Sequence, residues 1–182
     1  TYSYTEGTRT SMADADAGNI AVHDNVMVAW DDAAPFTLSK VVENSATGAT
    51  NIGDIRIAFS DAVPSGSAAY AYGPNSTAKG GDVYYGTTQM NGAGVDFVKG
   101  EYSYLTALHE IGHALGLSHP RGRGDHPRFN SKHTVMSYNI FSKKGYLMYY
   151  GFTDLDRSAL IENWGPNEKF GEIPPTDIVE VL

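Results

Sequence analysis

The chain has 182 residues, 41 % apolar and 19 % charged, and its 13 basic against 21 acidic side chains leave a net charge of −8. That length suits one domain able to bury about 70 % of its unfolded surface. The acidic balance argues against a general nucleic-acid or membrane-surface binder, and no apolar run approaches the ~18 residues of a membrane span. There is no cysteine, so no disulfide holds the fold and no thiol of this chain can cap a metal.

In chain order, residues 1–10 read as a short strand in which Tyr2 and Tyr4 alternate with polar neighbours. The start lacks the basic residues and apolar stretch of a signal peptide, so a mature or engineered start is expected. Asp14, Asp16 and Asn19 fit a helix N-terminus, where short polar side chains satisfy free amides. They also open like a calcium loop whose later ligands are missing, which leaves Ca2+ as an alternative there. The helix is expected to run to about Asp32 and to bury Ile20, Val26, Met27 and Trp30. His23 is expected at its surface or half-buried, without function. Residues 36–43 alternate as a strand, 44–53 form a polar loop, and 55–59 form a strand followed by a turn over 60–67. Residues 68–72 read as an exposed edge strand, able to pair an extended peptide through its backbone. A loop over 75–81 and a strand over 83–85 lead to an irregular, glycine-rich stretch over 87–100. A helix over 102–117 follows, with Tyr104, Leu105, Leu108, Ile111, Ala114 and Leu115 available to pack on the sheet.

That helix carries the densest chemistry in the chain: His109-Glu110-Ile111-Gly112-His113, then Gly116 and His119. Two histidines four residues apart share a helix face, so their ring nitrogens can reach one ion about 2.0–2.1 Å away. Glu110 points beside that ion and suits a base acting on a zinc-bound water. Gly116 can turn left-handed without strain and bring His119 back to the metal. Three neutral ligands leave an open coordination position, the catalytic arrangement for Zn2+. A structural zinc site would have no use for Glu110 beside the metal.

Downstream, Thr134-Val135-Met136-Ser137-Tyr138 follows the histidine motif as the Met-turn does in metzincin metallopeptidases, and together they resemble that clan. The resemblance implies that Met136 forms an apolar floor under the histidines. It also implies that Tyr138 is a switchable fifth zinc ligand, which leaves the metal when substrate arrives and then stabilises the oxyanion. His119-Pro120 and Met136-Ser137-Tyr138 resemble the serralysin family, peptidase family M10, most closely. Segments 54–59, 68–72, 80–85 and 153–165 resemble that family's strands and closing helix.

The implied fold is α+β, with a twisted, mostly parallel sheet and an antiparallel edge strand packed on two long helices. An active-site cleft lies above a loop-rich lower subdomain with the Met-turn and a C-terminal helix. Residues 1–165 are expected to form the catalytic domain, and 166–182 an extended C-terminal tail or linker remnant. The implied protein is a secreted, extracellular bacterial zinc endopeptidase acting on protein or peptide substrates. It is expected to be monomeric, without nucleic-acid or membrane partners, and open to a protein inhibitor. Two features depart from serralysins: no Gly-Gly-x-Gly-x-Asp calcium repeat occurs, and residues 120–135 are short for that family. An astacin- or matrixin-like peptidase, or a degenerate zinc-holding binding module, are the alternatives.

Specificity is expected from Ala68, Ala69, Tyr70, Ala71 and Tyr72 on the edge strand and from the loop between His119 and Met136. That loop holds Arg121, Arg123, Arg128 and Lys132 against Asp125. It reads either as a primed-side wall preferring acidic side chains or as a solvated loop. His126 and His133 lie in it as candidates for a second metal, although isolated loop histidines usually bind none.

Overall fold

The computed structural model describes residues 1–4, 12–13, 17–43, 52–90, 97, 99–143, 146–147 and 151–166. The expected cap residues Asp14 and Asp16, most of the 44–53 loop and the tail beyond Pro166 lie outside the described residues.

A five-stranded mixed sheet forms the upper layer. Strands β1 (Tyr2–Tyr4) and β2 (Met12–Ala13) precede helix α1 (Ala17–Ala33), which leads to the central strand β3 (Ile55–Ser60). Its near-continuous apolar run is typical of a strand covered on both faces. β1 pairs with it in parallel, Tyr2 opposite Ile55, and β2 pairs antiparallel, Ala13 opposite Phe59. On the other side runs parallel β5 (Val83–Gly86), and antiparallel β4 (Ala69–Ala71) pairs with β5 at the end of the strand order. A short helix α2 (Thr87–Met90) follows β5 where irregular chain is expected, and Met90 is buried at its end.

Helix α3 (Tyr102–Ala114) packs with α1 under one face of the sheet. There Ile55, Ile57 and Phe59 meet Val26, Met27 and Trp30 of α1 and Leu108 and Ile111 of α3. Ala58, Tyr84 and Tyr70 form a smaller cluster on the opposite face, as the two-residue period of a strand requires. The lower half holds a 3-10 turn (Pro120–Gly122), a hairpin of β6 (Ser142–Lys143) and β7 (Tyr146–Leu147), and helix α4 (Asp154–Trp164). Among the described residues, no helix is long and apolar enough to cross a membrane.

Two expectations are corrected. Residues 36–43 form no strand: one parallel bridge joins Lys40 to Tyr2, whose N–H and C=O bond Ser39 and Val41. Side chains anchor the segment instead, through Lys40 to Asp24 at 2.6 Å and through Glu43 to both Ser3 and Arg56 at 2.7 Å. The segment is thus held by one bridge and by these side-chain bonds, without a ladder of backbone bonds.

His23 is fully buried, in the same stripe as Val26, Met27 and Trp30. Tyr4 donates its hydroxyl to Asp24 at 2.8 Å, so His23 Nδ1–H donates to Tyr4 Oη at 3.1 Å. Nε2 then accepts from the Tyr85 hydroxyl at 2.8 Å. Satisfied on both nitrogens, a neutral imidazole is tolerated in the core. Burial holds its pKa at about 3, below the ordinary 6.5. The unfolded chain therefore takes up this proton more readily than the folded one, and stability falls as pH drops from 6.5 toward 3. Between pH 7 and 4.5, His23→Gln should remove about 2.5 kcal/mol of the wild-type loss in urea-unfolding stability; parallel curves for the two proteins would contradict the assignment.

Candidate metal centre

His109 and His113 project from one face of α3, with their Nε2 atoms 3.1 Å apart. The helix ends in a Schellman pattern: Gly116 N–H donates to His113 O and Leu117 N–H to Gly112 O, both at 2.9 Å. This closure needs the left-handed turn that Gly116 supplies at φ +92°. The reversed chain returns His119, whose Nε2 lies 3.1 Å from that of His113 and 3.2 Å from that of His109.

The ring orientations are fixed from behind. His109 Nδ1–H donates to Val135 O and His113 Nδ1–H to Leu117 O, each at 2.9 Å, so their Nε2 lone pairs face the centre. Burial, with His113 close by, holds His109 at about 3; burial also lowers His113 and His119. A near-equilateral triangle of 3.1–3.2 Å edges has a point about 2.0–2.1 Å from every corner, the Zn–N bond length. Three neutral imidazole donors fit Zn2+ in both number and chemistry. Among the described residues, no other group of three or more His, Asp or Glu side chains can share an ion.

Glu110 is buried beside the triad, and desolvation pushes its carboxyl up to about 7. It shares a cavity of about 330 Å3 with His109, Tyr138 and the apolar side chains of Leu105, Val135 and Ile140. Ala68 and Ala69 form the rim of that cavity. A second cavity of about 780 Å3, at the other end of β4, runs from Ala71 and Gly73 past His113 and His119 to Trp164. The Tyr138 ring sits 4.6 Å from that of His119 and 5.3 Å from that of His109. Burial and then Glu110 raise its phenol pKa.

Met136 is buried against α3 at the turn between the two helical histidines, and a Cβ on Gly112 would lie 2.6 Å from its sulfur. The glycine inside the histidine motif is thus the space that this methionine occupies.

The profile of the peptidase M10 family, matrixin, matches residues 1–133. The chain belongs to that family. It is 30 % identical over 135 residues to Serralysin A of Dickeya chrysanthemi, which covers 71 % of this chain and 28 % of the relative. Serralysin C of the same organism is 30 % identical over 145 residues, covering 76 % of this chain and 26 % of the relative. Serralysin of Photorhabdus sp. (strain Az29) is 31 % identical over half of this chain. The chain therefore spans about a quarter of the length of the serralysins it matches first.

Not every expected site residue of this M10 domain meets the triad. Tyr70 and Tyr72 turn to the far face of the sheet, where Tyr70 stacks on Tyr84 at 5.0 Å, so β4 offers the centre only their backbone. Arg121, Arg123 and Arg128 are exposed and line neither cavity, and Arg123 pairs with Asp125 at 3.2 Å. The loop turns its backbone inward instead: Tyr138 N–H donates to Gly124 O at 2.7 Å, and the Asn139 amide donates to His126 O and Phe129 O at 3.0 and 2.9 Å. His126 and His133 use Nδ1 to accept backbone N–H bonds of their own loop, from Arg128 and Asn130.

Asp156 escaped the sequence reading. In the first turn of α4 it forms a capping box with Thr153 and accepts from Thr134 Oγ1, Val135 N and Thr153 N at 2.5, 3.2 and 3.0 Å. Burial raises its pKa, and these bonds oppose the rise. Val135 thus sits between Asp156 and His109, with its N–H on one and its C=O on the other. The Thr-x-x-Asp spacing at 153–156 signals the cap, but not what else the carboxylate holds. Asp156→Ala should weaken zinc binding about 10- to 100-fold in a competition titration with a chromophoric chelator; unchanged affinity would contradict this link.

Proposed function

We propose that residues 1–165 form a zinc-dependent endopeptidase domain of serralysin type that hydrolyses extended protein or peptide substrates. One observation carries the reading: three converging Nε2 atoms share a site with a buried carboxyl that stands near pH 7. His109, His113 and His119 hold the ion, Glu110 is the general base, and Met136 is the floor of a Met-turn. Zinc bound there would acidify a water and polarise the carbonyl of the scissile bond.

Each remaining role belongs to the chain. β4 lies at the end of the strand order, and its free edge binds the substrate backbone as an added strand. That contact is independent of side-chain identity and holds the peptide across the triad. The cavity lined by Leu105, Val135 and Ile140 takes an apolar side chain next to the cleaved bond. Glu110 removes a proton from the attacking water and delivers it to the leaving amine, a role suited to a carboxyl buried beside the triad. Tyr138, 59 % exposed and close to Glu110, donates its phenol to the developing oxyanion. The serralysin likeness extends the proposal to secretion by a bacterium.

Glu110→Ala should retain one zinc per chain yet lose nearly all turnover of a quenched-fluorescence peptide. An active, zinc-replete variant would remove Glu110 from the mechanism. Profiling cleavage of a peptide library should enrich Leu, Met or Phe immediately after the cleaved bond, and enrichment of Asp or Glu there would contradict the apolar pocket.

A further inference from the structure

Besides Val135, which holds His109, the segment between His119 and Met136 meets the site at Gly124. Gly124 is buried with its backbone against the Tyr138 ring: an added Cβ would lie 2.7 Å from Cγ, and closer still to Cδ2 and Cε2. Those atoms belong to a rigid ring and cannot move aside separately. Gly124 does not have positive φ, so the glycine answers a need for space and not for an unusual backbone. Gly122 is the converse case, at φ +74° with nothing near its missing Cβ.

The ring cannot retreat by shifting its backbone either. Tyr138 N–H is held by Gly124 O at 2.7 Å, Ser137 Oγ donates to Phe129 O at 3.1 Å, and Ser131 N–H to Asn139 O at 2.8 Å. With both sides of this clamp tied together, a side chain at position 124 leaves Tyr138 only rotation about χ1, out of the place it holds beside His109 and His119.

We propose that Gly124 is the positioning residue for Tyr138: its missing Cβ is the seat that keeps the phenol over the histidine triad. The consequence for catalysis rests on Tyr138 acting on the oxyanion, whereas the seat itself does not depend on that reading. The loop's contribution to the placing of Tyr138 is then steric and made by the Gly124 backbone, while Arg121, Arg123 and Arg128 are exposed.

A double-mutant cycle tests this with the whole chain, first in chelator by thermal unfolding. Gly124→Ala should lower Tm by about 4–8 °C in the wild-type background and by less than about 1 °C in the Tyr138→Ala background, where no ring is displaced. Gly122→Ala, strained through its backbone, should lower Tm equally in both backgrounds. If Gly124→Ala does not fold, recovery of folding by adding Tyr138→Ala supports the seat. Failure of both proteins overturns it, as do equal Tm losses in the two backgrounds or no loss in either. With zinc restored, Gly124→Ala should reduce kcat about as far as Tyr138→Ala, roughly 100-fold, with KM within about twofold, and the double variant should be no worse than Tyr138→Ala. A Gly124→Ala enzyme with wild-type kcat would overturn the proposal. A wild-type chain that cleaves no peptide would overturn the peptidase reading alone, since the thermal cycle measures the seat without activity.

Discussion

Three imidazole lone pairs that converge to within 3.2 Å repel one another, and little in an isolated peptide would hold them there. The surrounding structure supplies the restraint. α3 sets two rings on one face, the Gly116 reversal returns the third, and backbone carbonyls of Val135 and Leu117 fix the two helical rings from behind. A divalent cation turns this repulsion into coordination. On the proposed function, the folded chain would bind metal far better than the unfolded one, and bound metal would stabilise the fold in turn.

Between Gly122 and Phe141 the described chain around the triad is held without helix or strand. Its backbone is organised around a few buried polar groups and not around a sheet. Asp156 gathers Thr134, Val135 and Thr153, and the Val135 carbonyl passes the restraint to His109. Met136 fills the notch at Gly112, and the loop clamps residues 137–139 through its carbonyls. A buried carboxylate with this many donors holds position better than apolar packing of the same size, because each donor left unmade would cost about 1–3 kcal/mol.

Much of the centre was legible because its geometry is local. A spacing of four places two histidines on a helix face, and a glycine three residues after the second predicts the turn that delivers His119. The edge position of β4 was read from the resemblance of 68–72 to the edge strand of the serralysin family, and the strand order agrees. What escaped depends on contacts distant in sequence. His23 fell on the buried stripe by spacing, but the hydroxyls of Tyr4 and Tyr85 that make burial tolerable come from other strands. Residues 36–43 alternate like a strand, yet beyond one backbone bridge to Tyr2 they are anchored by side chains. The arginines of the loop carry the charge that catches attention in a sequence, whereas the residue packed on Tyr138 is Gly124, whose signal is the absence of a side chain.

The central claim is that His109, His113 and His119 together hold one zinc ion, and zinc K-edge X-ray absorption on the metal-loaded chain tests it most directly. The account predicts a first shell containing three imidazole nitrogens at about 2.0–2.1 Å, reduced to two by His119→Ala. A spectrum with fewer than three imidazoles in the wild-type chain, or one unchanged by that substitution, would contradict it.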